Sequence, residues 1–344
     1  MDTTNRLELL GAPGSPYTRK MIALLRYRHV PHAIIWGGHQ SPPAGYPVPK
    51  VKLLPTVYFK DSRGETEAVV DSTPIIRRLE REHAARSVLP PGGFLGLLND
   101  LIEDFADEWL TKAMFHYRWY HEADRKNAAP LLLFWSAPLA DDETARRMSA
   151  FFTKRQFERL YVVGSNDVTA RTIEESYARF VTVLDKVIER SGFVLGKRPS
   201  SADFAIYGQL TQLAIIEPTS AAITQGLPQR VRAWVDRVED LSGAAPMDQD
   251  WLPPEEAGAR LQPLLTEIGR VYAPFLLANA EAVSAGKADF ETQIDGRAWT
   301  QPTFPYQAKC LQWLRESYTA LGSSDRALAD AAFKGTGCEA MFTL

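Results

Sequence analysis

The first ninety residues switch hydrophobic period several times within short spans, and this restricts the fold more than any other feature of the chain. Leu7-Glu-Leu-Leu-Gly11 has strand character and is ended by Gly11 and Pro13. Pro16 through Arg28 then has helical spacing, with Ile22, Leu24 and Leu25 apolar and Arg19, Lys20, Arg26 and Arg28 expected in solvent. His32-Ala-Ile-Ile-Trp36 is a second strand, and residues 37–49, carrying Gly, Pro and Ser, form a loop. Thr56-Val-Tyr-Phe59 and Glu67-Ala-Val-Val70 make a hairpin across Asp61-Ser-Arg-Gly64. Ser72 through His83 is a helix with Ser72 as the expected N-cap and Ile75, Ile76 and Leu79 inward. The order is therefore β-α-β followed by β-β-α.

Pro90-Pro-Gly-Gly93 breaks this pattern and has the character of a linker. From Leu95 to about residue 240 the periodicity is helical and no segment alternates convincingly as a strand. Residues 244–254 form a second Pro-rich junction. Beyond it Leu261, Leu264, Leu265, Ile268, Val271, Tyr272, Phe275 and Leu276 mark a helical stripe, and Pro305 to Leu321 a further helix after an irregular Trp299-Thr-Gln-Pro302 stretch. The expected division is an α/β domain over residues 1–88, an all-helical domain over 95–243, and a helical extension over 244–344. An isolated helix is marginal in water, so the extension is expected to pack on the helical domain.

With 39 basic and 42 acidic side chains the chain carries a net charge of −3 and has no dense basic run. The charge pattern offers nothing to nucleic acid or to an anionic membrane surface, and neither is expected as a partner. No stretch has the apolar length of a membrane span, and residues 1–6 lack the apolar core of a signal peptide. Cys310 and Cys338 cannot build a disulfide framework and lack metal-ligand spacing, so buried or incidental thiols and no metal are expected. Such sparse cysteine usage suits a reducing compartment, and the expected location is the cytoplasm.

Three short segments carry candidate chemistry. Ser15-Pro16-Tyr17-Thr18 lies where the first strand turns into the first helix, whose free N–H groups and partial positive charge stabilise an anion. The segment resembles the Cys-Pro-Tyr-Cys motif of thioredoxin-fold redox proteins with both cysteines replaced by hydroxyl residues, which removes disulfide exchange at this position. A hydroxyl can instead donate to a bound thiolate, or simply cap the helix. Leu54-Pro55-Thr56 places a proline directly before a strand, either as an ordinary trans residue or as a cis turn that frees backbone groups for an extended ligand. Asp71-Ser72 pairs a carboxylate that can receive an ammonium with a hydroxyl and helix-start N–H groups that can bind a carboxylate. One amino-acid head group would satisfy both, and a plain N-cap is the simpler alternative.

Together these segments resemble the glutathione transferase family over roughly residues 7 to 240. Phe193-Val-Leu-Gly-Lys-Arg-Pro-Ser-Ser-Ala-Asp203 adds a fourth point of likeness, a capping box of Ser200 and Asp203 ahead of Phe204, Ile206 and Leu210. The resemblance implies the glutathione-transferase fold, a thioredoxin-like N-terminal domain followed by an all-α C-terminal domain. It implies glutathione as co-substrate, Ser15 at the catalytic position, Leu54 and Pro55 pairing with the cysteinyl backbone, and Asp71 and Ser72 holding the γ-glutamyl end. It also implies a homodimer. Many relatives carry a Lys two residues before the turn proline, where this chain has Leu53, leaving Lys52 or Lys50 to reach the glycyl carboxylate. Few residues after about 245 match the family.

Phe105, Trp109, Ala113, His116 and Tyr120 fall on one helical face, and in the family the corresponding helix lines the pocket for a small hydrophobic electrophile. For any single residue of the stripe, His116 included, interdomain or bundle core is the favoured expectation, with His116 as a pocket acid or base the alternative. The leading expectation is an enzyme that activates glutathione as a thiolate for attack on an electrophile. The alternative is a protein that keeps the fold for binding or regulation without turnover. A glutathione-dependent reductase is disfavoured, since no cysteine occupies the positions of Ser15 or Thr18.

Overall fold

The computed structural model describes residues 6–38 and 42–343. Residues 1–5, over which the lack of a signal peptide was read, and residues 39–41 of the loop lie outside the described residues. The α/β unit comprises β1 (Leu7–Gly11), α1 (Pro16–Tyr27), β2 (His32–Trp36), β3 (Thr56–Lys60), β4 (Thr66–Val70) and α2 (Ser72–Glu82). Its sheet has the order β2-β1-β3-β4, with β1 and β2 parallel and the other pairs antiparallel. Met21, Leu24 and Leu25 of α1 and Ile75, Ile76 and Leu79 of α2 are fully buried, as their spacing requires.

Two expectations for these helices are corrected. Asp71, not Ser72, is the N-cap of α2: its carboxylate accepts from Thr73 N, and Ser72 is the first helical residue. Lys20 and Arg28 are buried rather than solvated. Lys20 finds carboxylates on the helical domain, and Arg28 Nη1 lies 2.6 Å from Glu80.

The helical region follows as α3 (Gly93–Phe105), α4 (Thr111–Tyr120), α5 (Glu122–Ser136), α6 (Asp142–Phe157), α7 (Ala170–Ser191), α8 (Ser201–Leu210), α9 (Pro218–Gln225) and α10 (Arg230–Val238). A π-helical turn, Ala106–Leu110, joins α3 to α4, and a second, Thr211–Ile216, follows α8. Asp203 accepts from Ser200 N at 2.9 Å and Val194 N at 2.9 Å, tying the start of α8 to the preceding loop. The two domains meet where α8 crosses α1. A Cβ at Gly208 would stand 2.4 Å from Pro16 O, so only glycine permits this approach.

Beyond the junction run α11 (Pro254–Ser284), β5 (Asp289–Ile294), β6 (Arg297–Pro302), α12 (Pro305–Thr319), α13 (Ser323–Phe333) and α14 (Glu339–Phe342). All eight residues of the α11 stripe are fully buried. The stretch around Trp299, expected to be irregular, is instead one strand of a hairpin. Asp295 and Gly296 take φ of 53° and 71° in its two-residue turn, while Phe290, Ile294, Trp299 and Gln301 alternate inward. The extension shares one continuous apolar core with the rest of the molecule. Trp109 meets Trp299 at 5.3 Å and Phe275 at 5.8 Å between ring centroids. Cys310 and Cys338 are buried.

Candidate functional site

Sheet register brings the three candidate segments to one end of the molecule's sheet. Leu10 of β1 pairs with Thr56 of β3, which pairs with Val70 of β4. The turn after β1, the turn before β3 and the turn after β4 therefore open at the same edge. These turns carry Ser15, Leu54-Pro55 and Asp71-Ser72. At about 4.8 Å between strands the row is roughly 10 Å across, close to an extended tripeptide at about 3.4 Å per residue.

Ser15 is the N-cap of α1, with Pro16 behind it at the first helical position. Its Oγ accepts from Thr18 N at 3.2 Å and donates to Leu54 O at 3.4 Å. The second contact is long, so the hydroxyl proton can turn to a ligand with little loss. The Leu54–Pro55 bond is cis. Leu53, Lys52 and Lys50 are all exposed on the loop before it.

Asp71 takes φ of 77° and accepts from Thr73 N at 3.2 Å and from the Tyr306 hydroxyl at 2.7 Å. Tyr306 belongs to α12, so the extension reaches the sheet end. Burial, then the charge of Asp71, keeps the Tyr306 phenol protonated and a donor. Ser72 Oγ accepts from Lys20 Nζ at 3.1 Å. Lys20 also meets Glu103 at 2.8 Å and Asp107 at 2.6 Å, giving a buried triad beneath the site. Burial would lower the lysine, but Asp107 and Glu103 outweigh it and push its pKa up. Burial would raise Glu103, but Lys20 and Arg77 bring it down to about 2. Asp107 is pushed up by burial, with Glu103 adding and Lys20 opposing.

Between α2, α3 and α12 lies a cavity of about 240 Å³, lined by Arg77, Asp104, Tyr306, Cys310 and Trp313 among others. Burial and neighbouring carboxylates raise Asp104 and Glu108 to about 7, Asp104 accepting from Tyr272 and Glu108 from Gln307. Burial, then Asp104 and Glu108, push the Cys310 thiol up, which disfavours its thiolate.

The residues weighed for an acceptor pocket lie within the helical bundle and at its margin. Phe105 is fully buried against Phe180 and Tyr272, and Trp109 donates to Ser176 Oγ at 3.2 Å beneath the β5–β6 hairpin. His116 is buried beside Ser165 and Glu174, and Tyr120, half-buried, donates to Asp167. This apolar face turns to α7 and α11. The polar face of the same helices turns to the sheet end: Tyr17 donates to Asp107 O at 2.7 Å and Thr111 Oγ1 at 3.1 Å, and Arg118 to Gly14 O at 2.9 Å. Next to Ser15 stand Leu132 and Trp135 of α5, so close that a Cβ at Gly14 would lie 2.2 Å from Leu132 Cδ2. Sequence reading missed Lys20, Tyr306, Leu132 and Trp135. Only the buried position of Lys20 on α1 had a local signal, its place among Met21, Leu24 and Leu25.

An α/β unit of this topology ahead of a helical domain defines the glutathione-transferase fold. The sequence matches the glutathione S-transferase N-terminal domain over residues 9–87 and the glutathione S-transferase C-terminal domain over residues 155–237. The chain belongs to the glutathione S-transferase family. Among solved structures it is similar to a glutathione transferase family member from Pseudomonas fluorescens with two glutathione bound, at 13% identity and a TM-score of 0.45, covering 70% of this chain and 92% of that one. A glutathione S-transferase from Methylobacterium radiotolerans in complex with glutathione sulfonate shares 21% identity at a TM-score of 0.40, covering 72% and 95%. No curated protein matches significantly. No helix among the described residues is long and apolar enough to cross a membrane.

Proposed function

We propose that the chain is a transferase that binds glutathione across the sheet end and activates its thiol as a thiolate for attack on a small hydrophobic electrophile. The observation that carries this reading is the convergence of Ser15, Leu54-Pro55 and Asp71-Ser72 on the row Leu10–Thr56–Val70. Asp71 receives the γ-glutamyl ammonium, and Ser72 with the first N–H groups of α2 receives the adjoining carboxylate. Leu54 offers its backbone to the cysteinyl residue, which sets the sulfur at the N-terminus of α1. There Ser15 Oγ donates to the sulfur and the helix end favours its negative charge. The electrophile enters past Leu132 and Trp135. A cytoplasmic homodimer completes the proposal.

A charge-assisted hydrogen bond contributes about 1.5–3 kcal/mol, so Ser15→Ala is expected to raise the bound thiol pKa by about 1 to 2. Ultraviolet thiolate absorbance of the bound peptide against pH reads this directly, with affinity little changed. An unaltered pKa would make Ser15 a helix cap alone. The second reading, a fold kept for binding or regulation without turnover, draws on Tyr306, whose hydroxyl already takes the Asp71 carboxylate that the γ-glutamyl ammonium would need. Glutathione binding without conjugation across a panel of acceptors would select it.

A further inference from the structure

His116, His121 and Glu174 come together from three elements on the far side of α4 from the proposed glutathione site. His116 sits on α4 one turn before its end, His121 is the residue between α4 and α5, and Glu174 lies near the start of α7. Glu174 Oε1 is 3.2 Å from His116 Nε2 and 2.9 Å from His121 Nε2. The three donor atoms all lie within 4.8 Å of one another. For metal–ligand bonds of about 2.0–2.1 Å, adjacent ligands stand about 2.9 Å apart at right angles and about 3.4 Å apart in a tetrahedron. The two edges from Glu174 fall in that range, and the third, between the imidazoles, is within 4.8 Å.

The surroundings supply what a ligating histidine needs. Ser165 Oγ lies 2.7 Å from His116 Nδ1, and it can accept from that nitrogen when Nε2 gives its lone pair to a metal. Tyr120 stacks on the His116 ring at 4.5 Å and Tyr117 on the His121 ring at 5.8 Å, holding both imidazoles in plane. His116 is wholly buried, whereas the side chains of His121 and Glu174 are 30% and 35% exposed. An ion can therefore enter from solvent and keep water on its remaining positions.

We infer that these three side chains form a binding site for a divalent first-row transition metal, of the zinc and cobalt kind. Two imidazoles and one carboxylate, with no thiolate, suit such ions better than calcium or magnesium. Neither cysteine takes part, which is why the cysteine pattern gave no hint of it. The bound ion would pin the α4–α5 junction to α7, independently of the glutathione site.

The test uses the full, untagged chain, stripped with a chelator and titrated with Co²⁺ by visible absorption, then with competing Zn²⁺. One Co²⁺ per chain is expected, displaced by Zn²⁺. His121→Ala and Glu174→Gln, both at partly exposed positions that leave the core intact, are expected to weaken binding at least about tenfold. Ser165→Ala is expected to weaken it about ten- to a hundredfold with stoichiometry kept. Glutathione-dependent stabilisation is expected to be equal in all of them, so failure here and failure of the glutathione reading are distinguishable. Absence of stoichiometric binding to the wild-type chain, or binding unchanged in both His121→Ala and Glu174→Gln, would overturn the site.

Discussion

Replacing Lys20 with Met removes one ammonium and nearly preserves side-chain length. In the folded chain that ammonium is fully buried and makes three contacts, to Ser72 Oγ at 3.1 Å, Glu103 at 2.8 Å and Asp107 at 2.6 Å. The variant leaves two buried carboxylates facing an apolar group. Breaking a buried pair by deleting one partner costs about 3–5 kcal/mol. At roughly 2 °C per kcal/mol for a chain of this size, the midpoint should fall by about 6–10 °C. The pH dependence gives the sharper check. Without Lys20 the folded-state pKa of both acids rises, so the fold binds more protons than the unfolded chain, and the deficit should shrink toward about pH 5. Glu103→Gln added to Lys20→Met should recover part of the loss, since it neutralises one uncompensated acid. Thermal and urea unfolding at the two pH values reads all of this. A loss under about 1 kcal/mol at neutral pH, or one that does not shrink on acidification, would refute the account of the triad.

Glu108 gives a second pH test. Burial, then Asp104, raises it from 4.5 to about 7, so folded chains hold a proton that unfolded chains release between those values. Stability contributed by the protonated acid is present below the lower value and is lost as pH rises through the window. Glu108→Gln should therefore flatten the fall in stability between about pH 4.5 and 7, measured by urea titration at several pH values. Truncation at Ala245 would uncover Phe105 and Trp109, and each large side chain exposed costs about 1.5–3 kcal/mol, so an insoluble or strongly destabilised product is expected. A soluble fragment of unchanged unfolding temperature would show the extension to be dispensable.

Local chemistry made most of the α/β unit legible. Gly11 and Pro13 end β1, Pro16 starts α1, and Asp61 to Gly64 turns the hairpin, each through a backbone preference acting within a few residues. The capping box at Ser200 and Asp203 was legible for the same reason. What sequence reading missed depends on distant partners. Lys20 falls on the inward face of α1 with Leu24, yet its charge reads as solvated until Glu103 and Asp107, 83 and 87 positions away, are placed against it. The Tyr306–Asp71 contact spans 235 positions and has no local signature. The aromatic face from Phe105 to Tyr120 pointed to a pocket only through the family likeness; periodicity marks which residues turn inward, not which neighbour they meet, and here Phe105 and Trp109 meet α11 while His116 meets α7. The β5–β6 hairpin was within reach, since Asp295-Gly296 between alternating residues is a strong two-residue turn signal.

The most direct measurement is glutathione-dependent stabilisation of the wild-type chain beside Asp71→Asn combined with Ser72→Ala. At about a hundred times its dissociation constant, glutathione should stabilise the wild-type fold by about 2.7 kcal/mol. The double variant should stay folded and lose that stabilisation. Equal stabilisation of both proteins, or none in the wild type, would contradict binding across the sheet end.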